Sequence, residues 1–211
     1  MLRRASRMAG VAAGGLGALV GCQAAWVRAA FVLPPDASGP TRGIVGERPG
    51  ETRNIVFLGD SLVTGVGCEP TRGEGPTLPR AVAHELSARM GGEVSWLALG
   101  ETGADILSLS ERLLPSLAAE AERCRQEGGQ IDAVVIVCGL NDMKSCFLFC
   151  QPHLNPVAFA SNLRRVIRAV RELTGEQCAV LLPGVSVDGV PRFEPFWPLS
   201  AFITAVAQMW D

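Results

Sequence analysis

The chain has 211 residues, a formal net charge of −2 and a hydrophobic content of 48%. This length suits one α/β domain with an added segment, and it allows a sizeable hydrophobic core. The near-neutral charge and the lack of a basic stripe argue against nucleic-acid binding. The hydrophobic content is high for a purely soluble protein, which indicates that part of the chain belongs in a membrane.

Seven cysteines are scattered along the chain, and no two of them form a C-x-x-C pair. This spacing indicates neither a zinc site nor a thioredoxin-like redox motif. We therefore expect most of the cysteines to be small hydrophobic side chains in the core.

The N-terminal segment, residues 1–33, has the pattern of a membrane or targeting sequence. Three arginines within the first seven residues precede an uncharged run from Met8 to Val27. Twenty residues in a helix span roughly 30 Å, which is the thickness of a bilayer core. The favoured interpretation is a signal-anchor helix, with the arginines cytoplasmic and the following domain exported. The alternatives are a cleaved signal peptide, an organellar targeting sequence and an Ala-rich disordered leader.

Residues 34–53 are rich in proline and glycine and are predicted to be a linker. Beyond them, short apolar runs predict strands at 55–58, 94–99, 133–138 and 179–182. Amphipathic stretches between and after these runs predict helices at 78–90, 105–124, 155–173 and 199–210. The alternation predicts an α/β domain over residues 54–211, a three-layer α/β/α flavodoxin-like sandwich with a parallel sheet.

Three loops that follow predicted strands carry residues suited to nucleophilic catalysis by a serine. The sequence GDSLVTGVG supplies Ser61 after the first strand, LGETGADI supplies glycines after the second, and GLND supplies Asn141 after the third. Because the carboxyl ends of parallel strands meet at one edge of a sheet, we expect these loops to converge. A serine hydroxyl becomes a nucleophile when a base takes its proton. Glycine N–H groups and an asparagine amide can donate to the oxyanion that then forms.

In their order along the chain, these three motifs resemble those of the SGNH (GDSL-type) hydrolase family. The resemblance implies an ester hydrolase of the esterase, lipase or acylhydrolase type, with Ser61 as the nucleophile. It implies oxyanion donors at Gly103 and Asn141, with Asp60 and Asp142 supporting the loops. It implies no metal and no organic cofactor, and a small-molecule or lipid-like ester as the substrate.

Each of these residues also has a structural explanation when it is taken alone. Ser61 could satisfy backbone groups at a turn, Gly103 could end a loop, and Asn141 with Asp142 could cap a helix. Taken together, the three motifs favour the catalytic interpretation. The apolar sequence SCFLFCQ, residues 145–151, indicates either a wall of an acyl pocket or simple packing against the domain.

The family's fourth block, D-x-x-H, supplies the base and the carboxylate that orients it, and this sequence does not contain it. The histidines present are His84, on a predicted helix, and His153, which is the candidate substitute base. We therefore expect a C-terminally truncated family member that lacks its final strand and helix and is crippled in catalysis. The alternative is a non-catalytic, membrane-tethered pseudo-hydrolase that binds a ligand or partner.

Overall fold

The computed structural model describes residues 2–46, 52–68, 73–148, 155–184 and 195–208. The chain divides into two compact units, residues 33–185 and residues 1–32 with 186–211. The strands are β1 (Arg42–Val45), β2 (Arg53–Gly59), β3 (Val94–Gly100), β4 (Ala133–Val137) and β5 (Ala179–Leu181). The helices are α1 (Leu2–Ala30), α2 (Ser61–Thr64), α3 (Thr77–Met90), α4 (Ile106–Ser108), α5 (Leu114–Gln126), α6 (Leu140–Leu148), α7 (Pro156–Thr174) and α8 (Leu199–Gln208).

Among the described residues, the larger unit contains a sheet of five strands in the order β1–β3–β2–β4–β5. The strands β2 to β5 are parallel, and β1 pairs antiparallel with β3 at one edge. The protein is therefore a mixed α/β fold with a mostly parallel sheet flanked by helices, as the sequence predicts. The strand order reverses between β2 and β4, and such a switch point opens a crevice beyond the carboxyl ends of the strands.

The central strand β2 is covered on both faces, which explains its unbroken apolar sequence. Successive strand residues point to opposite faces of a sheet. Val56 and Leu58 join the core cluster that contains residues of α5 and α7, such as Leu117. Ile55 and Phe57 join the cluster that contains residues of α3. The helices thus form a layer on each side of the sheet.

The predicted elements lie close to the observed ones. The four predicted strands correspond to β2, β3, β4 and β5, and the predicted helices at 78–90 and 155–173 correspond to α3 and α7. The predicted helix at 105–124 is instead three consecutive pieces, because a π-helical turn at Leu109–Leu113 lies between α4 and α5. The predicted helix at 199–210 corresponds to α8 as far as residue 208.

The strand β1 lies within the segment that is predicted to be a linker. It pairs with β3 from Arg42 opposite Leu97 to Val45 opposite Val94. The short strand is largely exposed, so its sequence does not carry the apolar pattern of a buried strand. Composition therefore gives no indication of β1. The predicted domain limits as a whole remain a prediction.

In the smaller unit, α1 packs against α8. The side chain of Gln23 on α1 binds the backbone at the start of α8. Its Nε2 donates to the carbonyl oxygen of Trp197 at 3.0 Å, and its Oε1 accepts the N–H of Leu199 at 3.2 Å. The rings of Trp26 and Phe196 lie 5.4 Å apart between centroids. Within the described parts of the chain, no helix combines the length and the apolar character needed to cross a membrane.

Candidate active site

Ser61 is the first residue of α2, a single helical turn that directly follows β2. Asp60 caps this turn, because its Oδ1 accepts the N–H of Leu62 at 3.0 Å. The turn ends at Gly65, whose φ of +75° favours glycine. Neither the N–H nor the hydroxyl of Ser61 has a hydrogen-bond partner among the described residues.

Close backbone approaches explain two glycines beside this turn. A Cβ atom at Gly59 would lie 2.2 Å from the carbonyl oxygen of Val137, so β2 and β4 can meet here only through glycine. A Cβ atom at Gly100 would lie 2.9 Å from Cγ2 of Thr64 and 3.0 Å from Cγ1 of Val63. The end of β3 is thus pressed against α2, which brings the second loop next to the first.

Gly103 lies in the exposed turn between β3 and α4. The N–H of Ala104 donates to the carbonyl oxygen of Glu101 at 3.0 Å and closes this turn. Gly103 has a φ of +86°, a conformation that favours glycine, and nothing lies within 4 Å of the place of a Cβ atom. Its N–H has no hydrogen-bond partner among the described residues. These features suit an exposed backbone donor.

Buried hydrogen bonds join the three loops. The Nδ2 atom of Asn141 donates to the carbonyl oxygen of Ala104 at 2.9 Å and to Oδ2 of Asp60 at 3.3 Å. Asp142 is completely buried, and its two carboxylate oxygens accept the N–H of Ile106 at 3.1 and 3.2 Å. We call these five residues the inner network. It contains residues from each of the three predicted loops, at the switch point between β2 and β4.

Burial raises the pKa of two carboxyl groups in the inner network. It raises the pKa of Asp142 to about 6, and the neighbouring carboxyl groups of Asp105 and Asp60 act in the same direction. Burial also raises the pKa of Asp60, which the nearby ammonium group of Lys144 partly offsets. The Nζ atom of Lys144 also donates to Oδ1 of Asn141 at 2.7 Å. This cation therefore compensates for part of the buried negative charge.

The amide of Asn141 is fully engaged in this arrangement. Its two hydrogens have acceptors on Ala104 and Asp60, and its oxygen accepts from Lys144. The contact with Asp60, at 3.3 Å, is longer than an ordinary N–H···O bond. An oxyanion would take this hydrogen at the smallest cost. The predicted side-chain donor thus lies beside the turn of Ser61, with its hydrogens directed to other acceptors.

The histidines lie apart from this arrangement or outside the described residues. His84 is exposed on α3, and no hydrogen bond joins it to Ser61 within the described part of the chain. His153 lies outside the described residues, as does the end of the apolar sequence at 145–151. Across the described ranges, no three side chains of His, Cys, Asp or Glu are grouped so that they could hold a metal ion.

A second set of contacts at the same edge of the sheet is not predicted from the sequence. The Oδ1 atom of Asp36 accepts hydrogen bonds from the hydroxyls of Thr64, at 2.8 Å, and of Thr102. The two hydroxyl oxygens lie 2.8 Å apart. We call these three residues the outer clamp. No motif indicates Asp36, because it lies in the proline-rich segment upstream of the first motif.

A comparison with curated proteins finds a partial relative. A protein of Gluconacetobacter diazotrophicus named 4-hydroxy-tetrahydrodipicolinate synthase is 32% identical over 117 residues, which are 54% of this chain and 36% of the relative. The chain thus spans about a third of the length of the curated relative that it matches. A match of this extent does not carry the named activity to this chain.

Solved structures with a similar architecture include two esterase-type proteins. One is a single-residue variant of Axe2, an acetyl xylan esterase from Geobacillus stearothermophilus, with a TM-score of 0.49, 17% identity, and coverage of 75% of this chain and 71% of that chain. Another is a GDSL-like lipase candidate from Parabacteroides merdae, with a TM-score of 0.46, 20% identity, and coverage of 75% and 72%. At these values the likeness carries no argument about activity.

A family model matches most of the chain. The model describes the GDSL-like lipase/acylhydrolase family and matches residues 57–210, a range that contains Ser61, Gly103 and Asn141. The resemblance that the three motifs predict is therefore confirmed. This chain belongs to the GDSL-like lipase/acylhydrolase family.

Proposed function

We propose that this chain hydrolyses carboxylic esters with Ser61 as the nucleophile. The observation that carries the proposal is the inner network, whose hydrogen bonds hold the three loops together. Membership of an acylhydrolase family supports the same class of reaction. The available N–H groups of Ser61 and Gly103 support the assignment of the backbone donors.

In the proposed reaction, Oγ of Ser61 attacks the carbonyl carbon of the ester while a base takes its proton. The carbonyl oxygen becomes an oxyanion, which accepts hydrogen bonds from the N–H groups of Ser61 and Gly103 and from Nδ2 of Asn141. The tetrahedral intermediate then collapses, the protonated base gives its proton to the leaving alcohol, and the acyl group remains on Ser61 until water releases the acid. Loss of one such donor typically costs about 2.7–4 kcal/mol of transition-state stabilisation.

Asp60 and Asp142 support the reaction without taking part in bond making. Asp60 caps the turn of Ser61 and accepts from Asn141. Asp142 holds the N–H of Ile106, and through it the turn that carries Gly103. Both carboxyl groups are buried, so their proposed role is to fix the positions of the loops.

The base for Ser61 determines the rate that we expect. His84 is exposed on α3, and the proposal of His153 as a substitute base rests on the sequence alone. Without a paired base, an oxyanion hole and substrate binding leave about 10³–10⁴-fold acceleration over water. We therefore propose slow, crippled hydrolysis. The engaged amide of Asn141 favours the alternative, a pseudo-hydrolase that binds a ligand or partner in the same crevice.

The proposed substrate is a small-molecule or lipid-like ester. The apolar sequence SCFLFCQ follows the third motif and would suit an acyl chain. Hydrolysis of p-nitrophenyl acetate, butyrate and octanoate by the full chain tests this choice. A preference for octanoate would support an acyl pocket, and a preference for acetate would contradict it.

The proposed location is at or beyond a membrane, through residues 1–33. The arginines before the uncharged run of Met8 to Val27 support a signal-anchor, with a cleaved export signal or an organellar sequence as alternatives. Carbonate extraction of membranes from expressing cells tests the proposal, with the intact N-terminus followed by mass. Full-length protein in the pellet supports the anchor, a shortened protein supports cleavage, and full-length protein in the supernatant contradicts both.

The assignment of Ser61 is tested with an alkyl fluorophosphonate, which reacts covalently with activated serines. The full chain is incubated beside Ser61→Ala and beside Ser116→Ala, a matched change at an exposed serine on α5. Because no base is paired with Ser61 among the described residues, we expect slow labelling of the wild type and Ser116→Ala but none of Ser61→Ala. Equal labelling of Ser61→Ala would contradict the assignment. A folded wild type that is not labelled would favour the pseudo-hydrolase. Loss of labelling in His153→Ala would identify the base.

A further inference from the structure

The outer clamp links the two loops that carry the backbone donors. Thr64 lies on the same helical turn as Ser61, and its hydroxyl also contacts the carbonyl oxygen of Ser61 at 3.3 Å. Thr102 directly precedes Gly103. The carboxylate of Asp36 therefore accepts a hydrogen bond from one hydroxyl on the turn of Ser61 and from another on the turn of Gly103.

Backbone contacts hold Asp36 in this place. The N–H of Ala37 donates to the carbonyl oxygen of Thr64 at 3.2 Å, and the N–H of Gly67 donates to that of Pro35 at 3.2 Å. The two backbones pass so closely that a Cβ atom at Gly65 would lie 2.9 Å from Cβ of Ala37. The residues on both sides of Asp36 are thus hydrogen-bonded to the turn of Ser61 and the loop that follows it, and the carboxylate of Asp36 also contacts Thr102.

Within the outer clamp, Asp36 can only accept hydrogen bonds, whereas Thr64 and Thr102 can each donate one. Two hydroxyls supply two hydrogens, whereas three oxygen–oxygen contacts join Asp36, Thr64 and Thr102. The carboxylate supplies no hydrogen and accepts from both sides, so it is the group that draws the two threonines together. Without it, the threonines can share a single hydrogen bond, and the acceptor common to both turns is gone.

We propose that Asp36 is a positioning residue for ester hydrolysis, which fixes the separation of the Ser61 and Gly103 N–H groups through Thr64 and Thr102. The proposal rests on the proposed function, because it assigns to these two N–H groups the binding of one oxyanion. An oxyanion hole depends on donors that are already in place before the reaction. The carboxylate does not touch the substrate, so its effect falls on the rate of the chemical step.

The first test is independent of activity. Hydrogen–deuterium exchange is followed in the full chain for peptides that cover residues 61–67 and 100–104, in the wild type, Asp36→Ala and Glu85→Ala. Glu85 is an exposed carboxylate paired with Arg89 on α3, and it serves as the matched control. We expect about threefold faster exchange of both segments in Asp36→Ala alone. Unchanged exchange of either segment would overturn the proposal, whatever the activity.

The second test measures the reaction of Ser61. We expect the rate of fluorophosphonate labelling to fall about tenfold in Asp36→Ala, because small displacements of catalytic groups have large effects. Asp36→Asn keeps an acceptor oxygen and should retain a rate within about threefold of the wild type. Ester hydrolysis should show the loss in kcat with KM nearly unchanged. Equal losses in the two variants, or a loss confined to KM, would overturn the proposal.

The two tests separate this proposal from the assignment of the nucleophile. If Ser61→Ala is labelled as fast as the wild type, the proposed function fails, and the catalytic role of Asp36 fails with it. If Ser61 is the labelled residue and Asp36→Ala reacts at the wild-type rate, the proposed function stands and only the role of Asp36 is rejected. A further check is Thr102→Val, which should reduce the effect of Asp36→Ala in the double variant.

Discussion

The inner network and the outer clamp hold the same loops together, yet they differ in exposure to water. Asn141 and Asp142 are buried, and every polar atom of their side chains needs a protein partner. Asp36 is exposed, and Thr64 and Thr102 are half-buried, so water can replace their contacts. From this difference we expect changes in the inner network to destabilise the folded protein more than changes in the outer clamp.

The largest loss of stability is expected at Gly59, the last residue of β2, which directly precedes Asp60 of the inner network. Substitution Gly59→Ala places a Cβ atom 2.2 Å from a backbone oxygen of β4, which must move. We expect a loss of about 3 kcal/mol or more in the free energy of unfolding, measured by urea denaturation. Gly129→Ala is the control, because its Cβ atom would meet nothing closer than 3.6 Å. Equal stability of the two variants would mean that the strands can separate here without cost.

The next effect is expected at Asn141, in the inner network itself. Substitution Asn141→Ala leaves the carbonyl oxygen of Ala104 and the buried carboxyl of Asp60 without this donor. We expect a loss of about 2–3 kcal/mol in the free energy of unfolding. Asn155→Ala removes the N-cap of α7, an exposed asparagine, and should cost about 1 kcal/mol. A smaller loss at Asn141 than at Asn155 would remove the distinction between buried and exposed contacts.

A pH-dependent effect is expected from Asp142. Its pKa is about 6 in the folded protein, against 3.8 in the unfolded chain. Between these values the folded state binds a proton that the unfolded state has lost, so the free energy of unfolding falls as pH rises from about 4 to about 7. The decrease is at most about 3 kcal/mol.

Asp142→Asn has no titratable group at this position, so the comparison with wild type isolates the effect. We expect the stability of the wild type relative to Asp142→Asn to be highest near pH 4 and to decrease towards pH 7, as measured by urea denaturation. A difference that stays constant with pH would show that the carboxyl group has the same pKa in both states.

The smallest effect on stability is expected in the outer clamp. Thr102→Val keeps the shape of the side chain and removes its hydroxyl. Because the lost contacts are partly exposed, we expect a change below about 1 kcal/mol in the free energy of unfolding. Urea denaturation beside Asn141→Ala measures the contrast directly. A loss at Thr102 as large as that at Asn141 would mean that the clamp contributes to folding as much as the inner network.

The sequence predicts the inner network better than the outer clamp for a physical reason. Asp60 directly follows β2, and Asn141 and Asp142 lie at the start of α6, shortly after β4. Parallel strands bring their carboxyl ends together at one edge of the sheet, so these residues can be expected to meet. Asp36 meets Thr64 and Thr102 across 28 and 66 residues of chain, through a segment whose composition is that of a linker. The pattern of neighbouring residues in the sequence cannot predict a contact between residues so far apart along the chain. The catalytic roles of Ser61, Gly103 and Asn141 are still predictions.

The same limit explains the secondary structure that sequence patterns do not predict. The strand β1 is short and largely exposed, and it exists because β3 offers a free edge to pair with. The π-helical turn at Leu109–Leu113 cannot be seen in the sequence pattern. Leu109 and Leu113 are both buried, so the apolar face that predicts the helix continues through this turn. A strand with buried faces has an apolar sequence that predicts it, whereas β1 forms by pairing with a strand that is distant in sequence.

The position of β1 also affects how this protein behaves in concentrated solution. Its backbone covers the N–H and carbonyl groups of β3, and Gly43 lies against the buried ring of Trp96, where a Cβ atom would come within 2.9 Å of Nε1. A chain that begins at Asn54 would present that strand and its tryptophan to other copies. Uncovered edges of this kind recruit further strands and lead to aggregation. The proline-rich segment upstream of the motifs therefore covers the β3 edge of the sheet, which would otherwise be open to pairing with another chain.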